Sequence, residues 1–426
     1  MSKFQIILLC VFGFFIVVAV MVFALYRGGG GTRAAVTVWG DISANDVHNL
    51  LGNSQLGQDS NITISYIEKP TETIVEEFTE ALAEGRGPDL IIVTQDKFLE
   101  QKSKLVPIPY GSISERDFKN TFVEEGELFL APEGVYAMPI SVDPIVLYYN
   151  RDHLSSAGQA RPIAFWDEIY LSATALNKRD AAGNLVQSAI ALGETRNILH
   201  AKDILSMLML QAGTPITGFL GPELRSVLSD NLGQTVSPGE SALDFYTQFS
   251  NPTKAYYSWN RTMPEAQTRF TSGDSTYYLG FASELTTLRN KNPTLNFTVA
   301  SVPQSRVSGK TITFGIVRGV AISRGTKNPV AALDVVLKLI SKEHALTLSQ
   351  LTGLPPARRD LLGERPTDAV TPVFYTAALQ ARGWLDPDDE ASADIFADMV
   401  EEVTSGRARL SETIGQASRE LDSLIK

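Results

Sequence analysis

The pattern of hydrophobic and polar positions near the start of the chain predicts alternating strands and helices. Apolar runs at residues 35–39, 62–67 and 87–93 are typical of strands. Over residues 74–82, apolar residues recur every four positions and glutamates occupy the other face, which predicts an amphipathic helix that ends at Gly85. Strand, helix, strand, helix and strand at this spacing predict a parallel sheet with right-handed crossovers.

A second pattern predicts a passage between two lobes. The continuous apolar run at residues 145–149 follows Pro139 and Pro144, and such a run fits a strand that is buried on both faces. Strands and helices alternate before it, whereas the chain after it is mostly helical. We therefore interpret residues 136–150 as the crossover from one lobe to the other. Residues 276–281 are then expected to return to the first lobe as a strand, so that several strands form the hinge.

The N-terminal segment is expected to be a membrane anchor. An apolar segment without charge begins at Ile6 and ends at Tyr26, which is long enough to cross ~30 Å of hydrocarbon. It is longer than the core of a cleavable signal peptide, and residues 22–24 form a poor cleavage site. A cleaved signal peptide and a lipoprotein attached through Cys10 are the alternatives. Glycines at 28–31 would form a flexible tether, and the large domain behind a single-pass anchor is expected outside the plasma membrane.

Composition and charge exclude several function classes. The chain has 426 residues, of which 44% are hydrophobic, and a net charge of −11 without a basic cluster. Two or three domains are expected from this length, and nucleic acid is not expected as a partner. The single cysteine allows no internal disulfide. The four histidines have no metal-ligand spacing and no catalytic-serine or phosphate-loop motif occurs, so no metal, cofactor or catalytic residue is expected.

Four stretches of the chain resemble, in order and spacing, one protein family. They are the Gly-Pro-Asp strand at 87–93, the crossover at 136–152, the Phe-Trp-Asp-Glu at 165–168, and the strand, helix and Pro-Ala-Arg turn within 319–358. This ordered set resembles the family 1 extracellular solute-binding proteins of ABC importers, the group that includes maltodextrin-binding protein. The resemblance extends from about residue 34 to the end of the chain.

The resemblance implies an α/β fold with two lobes, the type II periplasmic-binding-protein fold, joined by a hinge of several strands. Residues 1–33 would be the anchor and tether. Residues 34–140 and 276–327 would form the first lobe, and residues 141–275 and 328–426 the second. The implied function is that of a binding protein and not an enzyme. It would be a monomer that captures a solute, expected to be a carbohydrate, and delivers it to ABC permease subunits.

Candidate ligand-binding residues follow from two rules. Sheets of this kind bind ligands beyond the carboxyl ends of their strands, and aromatic side chains suit the apolar faces of sugar rings. The candidates are Trp39, Asp41, Glu68, Asp96, Asp143, Trp259, Glu284 and Trp384. The sugar-stacking role of Trp384 is implied by the resemblance alone. Sugar-binding relatives often carry Gly-x-Trp where this chain has Gly-Phe-Ala-Ser-Glu at 280–284, a departure that favours a small sugar or a cationic ligand.

Two other functions stay open at this point. The same fold could serve as a membrane-tethered sensor or interaction module without transport. A glycoside hydrolase is the second alternative, with Asp143 and Glu284 as its two carboxylates. Such a pair would have to lie roughly 5–10 Å apart across a sugar site, and no sequence motif requires it.

Overall fold

The computed structural model describes residues 33–54, 56–59, 61–306, 309–364 and 366–425. The predicted anchor at residues 6–26 and the glycines at 28–31 lie outside these ranges. Among the described residues, no helix combines the length and the apolar character needed to cross a membrane.

The strands and helices of the described residues are as follows. The strands are β1 (Ala34–Gly40), β2 (Ile62–Glu68), β3 (Leu90–Thr94), β4 (Leu105–Val106), β5 (Leu130–Ala131), β6 (Gly134–Val135), β7 (Ala137–Asn150), β8 (Lys178–Arg179), β9 (Leu185–Ile190), β10 (Thr217–Leu220), β11 (Glu223–Ser226), β12 (Ser275–Phe281), β13 (Phe297–Ala300), β14 (Thr313–Ser323) and β15 (Ala381–Arg382). The α-helices are α1 (Ala44–Gly52), α2 (Ile74–Ala83), α3 (Phe98–Lys102), α4 (Glu115–Thr121), α5 (Arg151–Ser156), α6 (Glu168–Leu176), α7 (Ala201–Ala212), α8 (Pro238–Thr247), α9 (Ala266–Thr271), α10 (Leu285–Lys291), α11 (Pro329–Leu339), α12 (Lys342–Thr352), α13 (Arg359–Leu362), α14 (Thr371–Gln380), α15 (Asp389–Thr404) and α16 (Leu410–Leu424). Short 3₁₀ helices lie at Gln95–Lys97, Glu124–Phe129, Gln248–Ser250 and Ala282–Glu284.

One mixed sheet connects the two lobes, in the strand order β2-β1-β3-β14-β7-β12-β9-β8. Strands β2 and β3 both pair in parallel with β1, as the sequence predicts. The long strands β7 and β14 pair with each other in antiparallel orientation. On either side of this pair, β14 is antiparallel to β3 and β7 is antiparallel to β12. The predicted crossover strand is therefore confirmed, and β14 is a second strand that passes between the lobes.

Each lobe has its own hydrophobic core, and the long strands contribute to both. In β7, Met138 and Val142 belong to the core of the first lobe, whereas Leu147 belongs to that of the second. In β14, Val320 packs in the first core and Phe314 in the second. The apolar run of a strand buried on both faces is thus shared between two cores, and the lobes meet near residues 143–144 and 315–316.

The lobe boundaries differ from the expected ones in two places. Strand β12, expected in the first lobe, lies between β7 and β9, and its Tyr277 is fully buried in the second core. Helices α11 and α12, expected in the second lobe, pack in the first core through Val335 and Leu348. An apolar run predicts a strand or a helix face, but the partner that covers it is decided by tertiary packing. A third connection between the lobes follows β15, because Ala381 packs in the first core and Trp384 in the second.

Candidate functional site between the lobes

The carboxyl ends of β1 and β3 lie where the lobes meet. Arg318, a largely buried arginine, interacts there with neighbouring carboxylates. Arg318 of β14 is paired in the sheet with Thr94 of β3 on one side and with β7 on the other. Its Nε lies 3.0 Å from Oδ2 of Asp41, the residue that follows β1. Asp41 and Asp143 raise the pKa of the arginine, against the effect of its burial. The structure therefore brings together two predicted site residues around a cation that the sequence analysis did not select.

The ion pair between Asp41 and Arg318 keeps unused hydrogen-bonding capacity. Oδ1 of Asp41 and Nη1 of Arg318 are buried, and within the described ranges neither has a hydrogen-bond partner. The two side chains are 7% and 18% exposed, respectively. Buried polar atoms are normally paired, so Oδ1 of Asp41 and Nη1 of Arg318 are exceptions, with one free acceptor and one free donor at the junction of the lobes.

Asp143 and a third predicted carboxylate, Asp96, also lie where the lobes meet. Asp143 of β7 is 4% exposed and accepts a hydrogen bond of 3.0 Å from the backbone N–H of Ser283. Burial raises its pKa, although Arg318 opposes the shift. Burial also raises the pKa of Asp96, and the carboxylate of Asp389 in the second lobe raises it further.

The wall contributed by the second lobe is built around Lys202 in the first turn of α7. Its Nζ lies 2.6 Å from Oδ2 of Asp386 and 2.6 Å from Oδ1 of Asp389, the first residue of α15. The same ammonium group lies 5.7 Å from the ring centroid of Trp384. Trp384 is only 3% exposed and stacks on Phe396. The predicted aromatic platform thus lies beside the Lys202 ion pairs, but its ring is buried and covered by neighbouring side chains.

Glu284 is engaged by neighbouring groups within the second lobe. Its Oε2 accepts hydrogen bonds from Tyr278 Oη and Gln267 Nε2, each 2.6 Å away. Its Oε1 accepts one of 2.7 Å from the N–H of Phe281 and lies 2.9 Å from His200 Nε2. Burial raises the pKa of Glu284, but these contacts outweigh it and lower the pKa overall. Glu284 therefore ties the end of β12 to the start of α7.

The contacts of the remaining three predicted residues, Trp259, Trp39 and Glu68, are with residues other than those of this cluster. Trp259 is fully buried in the second core and donates a hydrogen bond of 3.0 Å to Asn197 Oδ1, a placement that contradicts the expected ligand contact. Trp39 packs in the first core at 9% exposure, beneath Lys69. Glu68 is exposed, and its Oε2 accepts a hydrogen bond of 2.7 Å from the N–H of Ala44 at the start of α1. Burial of a large aromatic ring stabilises the folded state. A tryptophan can therefore serve in the core or as a ligand platform, and the residue type alone does not distinguish the two.

The two cations of the site, Arg318 and Lys202, were not predicted from the sequence. Arg318 could have been found, because it interrupts the apolar run of β14 with a charge. Lys202 offered no comparable signal, since lysine in the first turn of a helix usually faces solvent. Glu125 was also missed, although it is 1% exposed between the lobes.

A protein-family comparison agrees with this architecture. The model of a family described as bacterial extracellular solute-binding protein matches residues 54–371, which is most of the chain. A search of curated protein sequences gives no significant match.

Solved structures share the fold over nearly their whole length. A cyclo/maltodextrin-binding protein complexed with maltotetraose has a TM-score of 0.75 at 17% identity, covering 93% of this chain and 99% of that one. The cyclic alpha-maltosyl-1,6-maltose binding protein from Arthrobacter globiformis has a TM-score of 0.76 at 14% identity, covering 92% and 99%. The sugar-binding protein MalE from Xanthomonas citri has a TM-score of 0.72 at 16% identity, covering 92% and 97%.

At this level of identity, the structures establish a shared fold, and the family match is a separate finding. The match covers parts of both lobes, including β7 and β14, which pass between them. The predicted resemblance to extracellular solute-binding proteins is therefore confirmed. The chain belongs to the bacterial extracellular solute-binding proteins.

Proposed function

We propose that this chain captures a carbohydrate between its lobes outside the cell and delivers it to the permease of an ABC importer. In this proposal residues 6–26 anchor the chain in the plasma membrane and keep it near its transporter at a high effective concentration. The lobes close around the solute by movement at the hinge, and the solute favours closure to the extent that it binds the closed state more tightly.

The observation that carries the proposal is the Asp41–Arg318 pair at the junction of the lobes. A sugar hydroxyl both donates and accepts hydrogen bonds. It can donate to the unpaired Oδ1 of Asp41, while a neighbouring hydroxyl accepts from the unpaired Nη1 of Arg318. Hydrogen bonds to charged groups are worth about 1.5–3 kcal/mol each. Solved structures of the same fold were obtained with bound oligosaccharides, among them maltotetraose and mannotriose.

A hydrolase based on Asp143 and Glu284 receives less support. A glycoside hydrolase needs two carboxyls that both approach the substrate, one protonated as the acid and one ionised as the nucleophile or base. Glu284 is held by donors from Tyr278, Gln267 and Phe281, and its pKa is lowered. An ionised carboxylate could serve as nucleophile or base, but both oxygens of Glu284 are occupied by donors from the protein, which suits a structural role better than a catalytic one.

The proposal is tested by thermal unfolding of the full-length protein in detergent against a panel of mono- and oligosaccharides, polyols, polyamines and amino acids. A solute at 100 times its Kd stabilises the folded state by about 2.7 kcal/mol, and the melting temperature should rise by a few degrees. We expect one class of carbohydrate to raise it. A rise with polyamines alone would assign a cationic solute instead. No rise with any carbohydrate would contradict the proposal and favour the tethered sensor.

A further inference from the structure

Glu125 is a buried carboxyl whose charge is poorly compensated. It belongs to the 3₁₀ helix Glu124–Phe129 of the first lobe and is 1% exposed. Within the part of the chain that the structure describes, neither Oε1 nor Oε2 has a hydrogen-bond partner. A buried ionised carboxylate without partners costs several kcal/mol, and such groups usually take up a proton instead. The function proposed above does not use this group.

The position of Glu125 connects it to the hinge. A Cβ atom added to Gly315 would lie 3.1 Å from Oε2, and one added to Gly383 would lie 3.0 Å from Oε1. Gly315 is on β14, and Gly383 follows β15, so the carboxyl touches two of the three connections between the lobes. A change of backbone angles in either connection would alter the surroundings of Glu125.

The neighbouring polar groups do not neutralise the carboxylate in this arrangement. Arg382 of β15 is the cation that acts on Glu125, but it forms an ion pair with Glu124. Asp96, after β3, and Asp143 of β7 add negative charge from the other sides. Burial is the main cause that raises the pKa of Glu125 well above its ordinary value, and Arg382 opposes this only in part.

The nearby amide of Gln95 is also occupied. Its Nε2 donates a hydrogen bond of 3.2 Å to the carbonyl oxygen of Gly315, and its Oε1 accepts one of 2.7 Å from the N–H of Val317. Gln95 therefore fastens the end of β3 to β14, and its hydrogen bonds go to the backbone and not to Glu125.

We propose that Glu125 is a proton-binding site that couples protonation of the hinge to closure of the lobes. In the arrangement described here the carboxyl carries a proton. When the lobes move apart, the two connections shift, water reaches the carboxyl and the proton leaves. Acid then favours the arrangement described here over a more open one, and the ratio of these closed molecules to open molecules changes by up to about tenfold per pH unit for one linked proton. The inference rests on the lobe movement of the proposed function but requires no solute.

The test measures the distance between the lobes without any solute. Nitroxide labels are attached to cysteines introduced at two exposed positions, Asn49 in the first lobe and Lys254 in the second. The native Cys10 is replaced by serine in the full-length protein, so that only these two positions are labelled. Pulsed electron–electron double resonance then gives the distribution of distances between the two labels at pH values from 5 to 8. It is recorded for the otherwise unchanged chain, for Glu125→Gln and for the control Glu127→Gln. Glu127 belongs to the same 3₁₀ helix, but it is 32% exposed and paired with Lys119.

We expect the unchanged chain and Glu127→Gln to shift toward the open distance as the pH rises. Glu125→Gln should stay nearer the closed distribution at pH 8 and show a pH slope smaller by one proton. Equal slopes for Glu125→Gln and Glu127→Gln would overturn the inference. A distribution that does not change with pH in the unchanged chain would overturn it as well, whether or not Glu125→Gln folds. Failure of the carbohydrate screen would leave either result unaffected.

Discussion

At the scale of single residues, the junction of the lobes is governed by how buried charges are compensated. Arg318 forms an ion pair with Asp41 and is also attracted by Asp143. Lys202 forms ion pairs with Asp386 and Asp389. Carboxylates outnumber cations there, and burial raises the pKa of Asp143, of Asp96 and, to about 7, of Asp386. Such a carboxyl lowers the free energy of unfolding when it is ionised. A binding site that requires hydrogen-bond acceptors can retain it despite this cost.

Asp143 allows this cost to be measured. Its folded-state pKa is raised, so the folded chain holds the proton more tightly than the unfolded chain. The cost of ionisation is therefore present above the folded pKa and disappears as the pH falls toward the unfolded value of about 3.9. Asp143→Asn keeps an oxygen that can accept from Ser283, and we expect it to raise the melting temperature at pH 8 by about 1–3 °C.

In differential scanning calorimetry the gain of Asp143→Asn should be constant above the folded-state pKa of Asp143 and should shrink below it as the pH falls to 4. Asp398→Asn, at an exposed position of α15, is the control and should have no effect at any pH. A variant less stable than the unchanged chain at pH 8 would show that attraction to Arg318 exceeds the cost of burial.

Residue patterns predicted the acceptors better than the aromatic platforms. Asp41 and Asp143 could be proposed because the ends of parallel strands and the crossover are visible in the sequence, and the structure places both beside Arg318. Their contact with a solute stays a prediction. Trp259 was misjudged because the same residue type serves as a platform or as core, and only its burial against Asn197 distinguishes the two.

At the scale of elements, Lys202 joins the start of α7 to α15 and the loop before it. The side chains of Lys202 and Asp386 are 12% and 2% exposed. Removing one partner of a buried ion pair typically costs 3–5 kcal/mol, because the other charge stays buried. We expect Lys202→Met to lose about this much stability at pH 8, measured by denaturant unfolding.

Protonation should limit the damage of Lys202→Met in acid. Burial raises the pKa of Asp386 to about 7 even with the lysine present, so the variant can neutralise this carboxyl at pH 5 and the loss should be smaller there. Lys338→Met is the matched control, since Lys338 also pairs with two aspartates but is 34% exposed, and it should cost below about 1 kcal/mol. Equal losses for both variants would contradict the structural role of Lys202.

Local periodicity predicted the elements that bury a clear apolar face. β1, β2, α2 and β7 appear close to their expected bounds. The assignment of elements to lobes failed for β12, α11 and α12, because an apolar face does not specify which of two cores will cover it. The pairing of β12 with β7 and β9 joins residues far apart in the sequence, and no pattern within β12 encodes that choice.

At the scale of the whole molecule, three connections hold two independent cores together. Rigid lobes joined by a few hinge residues are the usual arrangement for closure around a ligand. The Asp41–Arg318 pair lies on the first-lobe side of that junction, and Lys202 with Asp386 and Asp389 lies on the second-lobe side. The central claim is therefore that a carbohydrate binds at the Asp41–Arg318 pair.

Titration calorimetry on the full-length protein tests this claim most directly, with the carbohydrate that raises the melting temperature most. Asp41→Asn removes the charged acceptor and should weaken binding about 10- to 100-fold, the equivalent of about 1.5–3 kcal/mol. Asp398→Asn should bind as the unchanged chain does. An Asp41→Asn variant that stays folded and binds the carbohydrate with unchanged affinity would contradict the account.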